Sequence, residues 1–119
     1  MYDVVIIGSG TAGITAAIYV QRAGKKTLVL DEAGFGGQIV FTPCIENYPG
    51  IKNVSGPEFA DGLHEQAEDL GAEFKVERVT EVRKSGDRFS VRLIRSIAEQ
   101  HLGQVQRLVM ESVSRGREC

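Results

Sequence analysis

The chain opens with a continuous apolar run, Val4-Val5-Ile6-Ile7, rich in β-branched side chains and stopped by Gly8. Such a run predicts a strand buried on both faces, as in a parallel sheet. Ile14, Ala17, Ile18 and the stretch from Val20 to Ala23 then recur at helical spacing until Gly24, a natural helix stop. Thr27-Leu28-Val29-Leu30 repeats the buried-strand pattern, so this part reads as a βαβ unit. Between Phe35 and Val54, five glycines and prolines in 20 residues predict an ordered loop with short helical turns. Loops of that length are often functional. Ser55-Gly56-Pro57-Glu58 has the spacing of a capping box, and Phe59, Leu63, Ala67 and Leu70 mark one face of a helix that Gly71 ends. Phe74, Val76, Val79, Val82, Phe89, Val91 and Leu93 alternate with charged residues around Ser85-Gly86-Asp87, which predicts a hairpin or small meander. Beyond it, Ile94, Ile97, Ala98, His101, Leu102, Val105, Leu108, Val109 and Val113 share one helical stripe. They predict an amphipathic helix over 94–113, interrupted only by Gly103.

With 119 residues, 42% of them hydrophobic and 25% charged, the chain can build one modest core and is too short for a multidomain enzyme. A net charge of −2 provides no basic field for phosphate backbones, so no nucleic-acid partner is expected. The charge is unevenly spread, −5 up to Gly71 (4 basic, 9 acidic) and +3 from Ala72 onward (10 basic, 7 acidic). Eleven of the 14 glycines fall in residues 1–71, and no aromatic residue follows Phe89. A glycine-dependent binding surface is therefore expected in the first part. No early apolar run approaches the roughly 20 residues of a membrane span, and no signal-peptide pattern precedes Val4, so a cytoplasmic chain without a membrane partner is expected. Cys44 and Cys119 lie 75 positions apart and form neither a Cys-x-x-Cys pair nor a metal-ligand spacing. Both read as incidental reduced thiols, with no metal site. His64 and His101 fall within helical patterns and read as helix-surface or helix-packing residues.

The chemistry concentrates in Gly8-Ser9-Gly10-Thr11-Ala12-Gly13, a G-x-G-x-x-G sequence that directly follows the first strand and opens the first helix. Asp31 stands 18 positions after Gly13, at the end of the second strand. That context marks a dinucleotide-binding turn in a Rossmann-like α/β domain with a parallel βαβ core. Gly8 allows the tight turn, Gly10 lets a pyrophosphate approach the backbone, and Gly13 lets the helix pack on the strands. Asp31 is the expected acceptor for a ribose hydroxyl, with Glu32 as its competitor one residue past the strand. An acid there opposes a 2′-phosphate, which leaves NAD or FAD.

Further motifs follow in Gly36-Gly37-Gln38 and Cys44-Ile45-Glu46-Asn47-Tyr48-Pro49-Gly50. Taken with IIGSGTAGITAAIY, GGQIVFTPCIENYPG and SGPEFADGLHEQAEDLGAEF, residues 2–92 resemble the FAD-binding domain of the low-molecular-weight thioredoxin reductase family. The resemblance implies that the glycine loop holds the FAD pyrophosphate, that the acid after the second strand holds the adenosine ribose, and that the GGQ and ENYPG segments lie along the flavin. It points to Gly8, Ser9, Gly10, Thr11, Ala12, Gly13, Asp31, Gly37, Gln38, Thr42 and Asn47, with Val79 near the adenine through its backbone. In complete relatives it implies NADPH as reductant of FAD, and thioredoxin or a similar redox protein as partner. Read on their own, Gln38 and Asn47 carry amide groups that suit a flavin edge or ribityl hydroxyls, but also suit a solvated loop.

Departures from the family's pattern shape the remaining expectations. Its Cys-x-x-Cys pair lies in a separate NADPH domain, and Cys44 does not match it, so no catalytic residue is assigned. From Leu93 onward the family's strand, Ala-Thr-Gly-like turn, NADPH domain and return segment are not found, dividing the chain into an incomplete FAD-binding portion (1–92) and a divergent helical tail (93–119). Two readings of that tail stay open: a frame-shifted end of a truncated gene, or a real helix that covers apolar surface or joins two copies. The functional alternatives are a non-catalytic nucleotide-binding or interaction module, an NAD-binding domain, and a ferredoxin-reducing relative that lacks redox cysteines.

Overall fold

The computed structural model describes residues 2–95, 98–105 and 107–110. Strand β1 (Val4–Ile7) leads through a glycine turn into helix α1 (Thr11–Arg22), and β2 (Thr27–Asp31) returns parallel to β1, with Val4 opposite Thr27 and Ile7 opposite Leu30. A short 3₁₀ helix (Gly37–Phe41) and α2 (Gly56–Asp69) follow. Among the described residues five strands follow: β3 (Glu73–Val76), β4 (Arg78–Ser85), β5 (Arg88–Arg95), β6 (Ala98–Val105) and β7 (Arg107–Met110). They form a parallel sheet of order β3-β2-β1-β7 and an antiparallel sheet of order β4-β5-β6.

Burial explains why the first two strands are apolar without alternation. On one face of the parallel sheet, Val4, Ile6 and Val29 pack with Ile14, Ala17 and Ile18 of α1 and Ala67 of α2. On the other, Val5, Leu28 and Leu30 pack with Val91 and Leu93 of β5. Successive side chains point to opposite faces, and here both faces are covered. Each fully buried aliphatic side chain contributes about 1.5–3 kcal/mol relative to exposure. Helix α2 starts as its sequence predicts: Glu58 N donates to Ser55 Oγ at 3.2 Å, and Ser55 N donates to the Glu58 carboxylate at 3.4 Å.

Two predicted elements differ. Phe74 and Val76 belong to β3, which joins the parallel sheet beside β2 (Leu28 opposite Glu73, Asp31 opposite Val76), and not to the meander. Helix α2 returns the chain to the edge of β2, whose backbone groups require partners. The second difference concerns the helix expected over 94–113. In its place β5 continues to Arg95, β6 runs antiparallel to β5 with Arg95 opposite Ala98, and β7 runs parallel to β1 with Ile7 opposite Met110. Helical spacing of apolar residues is a local signal, whereas the edges of β1 and β5 offer rows of N–H and C=O groups that only extended segments can pair. His101 consequently lies on β6 and not on a helix, while His64 lies on α2 between Phe35 and Phe74, with ring centroids 4.9 and 4.2 Å away. Residues 96, 97, 106 and 111–113 of the predicted helix, and Cys119, fall outside the described residues. Among the described residues no helix is long and apolar enough to cross a membrane.

Candidate functional site

The site begins where β1 ends. Gly8 has φ +108°, a conformation that side chains strongly disfavour, and its N–H donates to Leu30 O at 2.8 Å, which ties the turn to β2. Gly10 then caps α1 with extended backbone and no side-chain hydrogen bond, and the first turn of α1 holds no acidic residue. Thr11, Ala12 and the buried Gly13 thus present N–H groups that no carbonyl of their own helix reaches. Together with the positive end of the helix dipole, these donors favour an anion.

A hydrogen-bond network fixes this loop. The fully buried Ser9 donates to Asp31 Oδ2 from its backbone N at 2.9 Å and from its hydroxyl at 2.8 Å. The same hydroxyl lies 3.1 Å from Gly34 O, Ala33 N donates to Asp31 Oδ1 at 3.0 Å, and Gly36 N donates to Ser9 O at 2.9 Å. Gly37 follows with φ +64°, and a Cβ there would sit 2.8 Å from the Cα of Gly10. The GGQ segment therefore touches the glycine loop backbone to backbone.

Two clefts flank the loop. One, of about 420 Å³, is lined by Gly8, Asp31, Glu32, Glu77, Arg78 and Val79 among others. The second, of about 520 Å³, has Thr11, Ala12 and Asn47 on its wall with the apolar side chains of Ile39, Ile45 and Phe59. The glycine loop contributes to both, so a ligand with two halves joined by a charged bridge suits the arrangement. Gly8 to Gly13, Asp31 and Gly37 are brought together in one network, Val79 joins Asp31 in the first cleft, and Asn47 joins Thr11 in the second. Gln38 is exposed on the 3₁₀ helix and Thr42 caps its end, accepting at its carbonyl from Gly56 N at 2.9 Å.

Sequence reasoning missed Glu77 and Arg78, because their place in the first cleft depends on β3 joining the sheet, which no local pattern signals. Cys44 is exposed, with its thiol 3.3 Å from Asn53 Oδ1 and 3.6 Å from the Glu46 carboxylate. Local desolvation, and then the hydrogen bond to and charge of Glu46, push this thiol above its ordinary pKa, with Asn53 acting in the opposite sense. A raised thiol carries less thiolate at neutral pH and is the weaker nucleophile there.

A parallel sheet, a glycine turn at the carboxyl end of its first strand and an anion-ready helix terminus define a dinucleotide-binding α/β domain. The model of the family described as FAD dependent oxidoreductase matches residues 3–115, and the chain belongs to that family. The match continues past Leu93, where the resemblance read from the motifs ends. Thioredoxin reductase of Bacillus subtilis (strain 168) is 44% identical over 82 residues, covering 69% of this chain and 26% of the relative. The bifunctional thioredoxin reductase/thioredoxin of Mycobacterium leprae (strain TN) is 45% identical over 87 residues, covering 72% of this chain and 19% of the relative. The crystal structure of Lactococcus lactis thioredoxin reductase (FR conformation) superposes with a TM-score of 0.85 at 37% identity, covering 99% of this chain and 37% of that one. The chain thus spans 19–37% of the length of these relatives, and the likeness lies in their N-terminal, FAD-binding part. FAD is the cofactor that the family's description names. The site fits it on structural grounds: the contact between the GGQ segment and the glycine loop uses glycine on both sides, and the anion-facing helix turn is free of acids.

Proposed function

We propose that this chain is the FAD-binding part of a thioredoxin-reductase-like flavoprotein oxidoreductase. The observation that carries this reading is the position of the glycine loop, which contributes to both clefts and abuts Gly37. In this reading the first turn of α1, with Gly8, Ser9, Gly10, Thr11, Ala12 and Gly13, holds the pyrophosphate. The cleft of Asp31 and Val79 takes the adenosine half. Gly37, Gln38, Thr42 and Asn47 lie toward the flavin half. FAD supplies the electron-transfer chemistry when bound, and the protein orients it and tunes its electronics. Hydride donation by NADPH and reduction of thioredoxin belong to the complete relatives, and this chain contributes cofactor binding in the cytoplasm.

The test is to add FAD to the purified chain, remove the unbound excess by gel filtration and record the visible spectrum. Flavin bands that co-elute with the protein are expected. A folded chain that elutes colourless would overturn the FAD reading and favour an interaction module.

A further inference from the structure

We infer that His64 on α2 is a positioning residue for the GGQ segment: its ring, packed with Phe35 and Phe74 in a three-ring cluster, holds that segment against the glycine loop although it lines neither cleft. The inference rests on the FAD reading above and concerns how the site keeps its shape from behind, not what any group of the cofactor touches. Gly34-Phe35-Gly36-Gly37 has one side chain in four residues, and its three glycines have φ of +105°, +109° and +64°. Glycine loses more conformational freedom on ordering than any other residue, so this stretch has little hold on its own shape. Phe35 is its anchor. The Phe35 ring lies on His64 with 4.9 Å between centroids and 20° between planes, and meets Phe74 of β3 edge-on at 5.1 Å, while the His64 and Phe74 centroids are 4.2 Å apart.

Helix α2 carries this segment along one stripe. Gly56, Ala60 and His64 follow one another at a spacing of four and so share a face. Gly56 N donates to Thr42 O at 2.9 Å, a Cβ at Gly36 would sit 2.9 Å from the Cβ of Ala60, and Phe35 stacks on His64 one turn further on. The segment thus lies flat on two small residues and is clamped at the third. On its other side, Gly36 N donates to Ser9 O at 2.9 Å and Gly37 abuts Gly10, so a shift of Phe35 is carried into the glycine loop. The ring holds the segment, and its nitrogens do not. Nε2 is buried with no hydrogen-bond partner among the described residues, and Nδ1 lies 3.6 Å from the exposed Glu68 carboxylate, too far for a hydrogen bond. Aromatic pairs in such geometries attract beyond the area they bury, and a phenyl ring supplies that contact as well as an imidazole.

The first readout of the test needs no cofactor. Amide hydrogen exchange of the full chain without FAD, followed by NMR, compares Gly36, whose N–H donates to Ser9 O, with Gly8, whose N–H donates to Leu30 O. In His64→Ala the ratio of the Gly36 rate to the Gly8 rate is expected to rise about tenfold, because the segment opens locally. A loss of overall stability alone would speed Gly8 at least as much and leave the ratio unchanged or lower. His64→Phe keeps the ring and should keep the wild-type ratio. FAD titration by flavin fluorescence should follow the same order, with affinity lower by about fivefold or more in His64→Ala and within about twofold of wild type in His64→Phe. The assignment is overturned if His64→Ala leaves either the exchange ratio or the FAD affinity unchanged, or if His64→Phe behaves as His64→Ala does. Should His64→Ala fail to fold by circular dichroism, Phe35→Ala, which removes the loop side of the same stack, takes its place with the same expectations. A wild type that binds no FAD would overturn the FAD reading itself, and the cofactor role of His64 with it, an outcome visible before any variant is made.

Discussion

Ser9 and Asp31 are joined by two hydrogen bonds to a single carboxylate oxygen, 2.9 Å from the backbone nitrogen and 2.8 Å from the hydroxyl. The pair couples the glycine loop to the end of β2 and so decides where the first turn of α1 points. Removing the hydroxyl leaves the backbone bond but deprives a part-buried carboxylate of one donor and Gly34 O of its neighbour. Ser9→Ala is therefore expected to lower unfolding stability by about 1.5–3 kcal/mol, the range for a hydrogen bond to a charged group. The urea midpoint checks this, and an unchanged midpoint at equal slope would refute it.

Gly37 tests the contact between the two backbone segments. Its φ of +64° disfavours a side chain by about 1–2 kcal/mol. An added Cβ would also press on Gly10 Cα from 2.8 Å, and backbone cannot swing aside as a flexible side chain can. Gly37→Ala is expected to weaken FAD binding about tenfold or more, equivalent to about 1.4 kcal/mol, by displacing the loop that faces the pyrophosphate. Titration of wild type and variant by flavin fluorescence gives the comparison. Equal affinities would show that the contact does not shape the site.

Helix α2 contains an internal control for such arguments. A Cβ at Gly56 would lie 1.8 Å from Ile39 O and 2.6 Å from Thr42 O, so Gly56→Ala must separate α2 from the 3₁₀ helix. A Cβ at Gly62 would meet nothing within 4 Å, and its backbone is helical. Gly62→Ala is therefore expected to raise stability by about 0.5–1 kcal/mol through the lost freedom of the unfolded chain. Gly56→Ala should lower stability by about 1–3 kcal/mol, the usual cost of overpacking. Opposite shifts in thermal midpoint support this account, and shifts of the same sign would count against it.

How much of this was legible in the sequence depends on whether the signal was local. Val4 to Ile7, the glycine loop, Thr27 to Leu30 and the Ser55–Glu58 capping box each carry their own instruction, and each forms as read. The glycine motif likewise located the loop that the two clefts share. The errors fall where pairing between distant segments decides. Phe74 and Val76 alternate as a meander would, yet β3 completes the edge of β2. Leu108 and Val109 fit a helical stripe, yet they pair with Val5 and Ile6. An apolar run as short as theirs does not distinguish strand from buried helix. The engagement of Asp31 by Ser9 was also invisible, because it depends on how a turn and a strand end meet 22 residues apart.

Tyr2 supplies a prediction in pH. Its hydroxyl donates to the Glu73 carboxylate, linking the start of the chain to β3, while its ring packs against the core shared by Val5, Leu28 and Val91. Burial first, then the hydrogen bond to Glu73 and that residue's negative charge, push the phenol from its ordinary 10.0 up to about 12. Each cause penalises the phenolate, so the folded chain holds this proton more tightly than the unfolded chain does. By linkage, the stabilisation is complete below pH 10 and is lost as pH rises from 10 toward about 12, where both states have released the proton. The ammonium of Lys26 lies 5.1 Å from the ring centroid, an interaction that Tyr2→Phe keeps, so the comparison is made with Tyr2→Phe and not with wild type alone. Between pH 9 and pH 11 the urea midpoint of the wild type is expected to fall more steeply than that of Tyr2→Phe, which has no proton to lose at this position. Parallel slopes would show that the phenol and Glu73 do not interact as described.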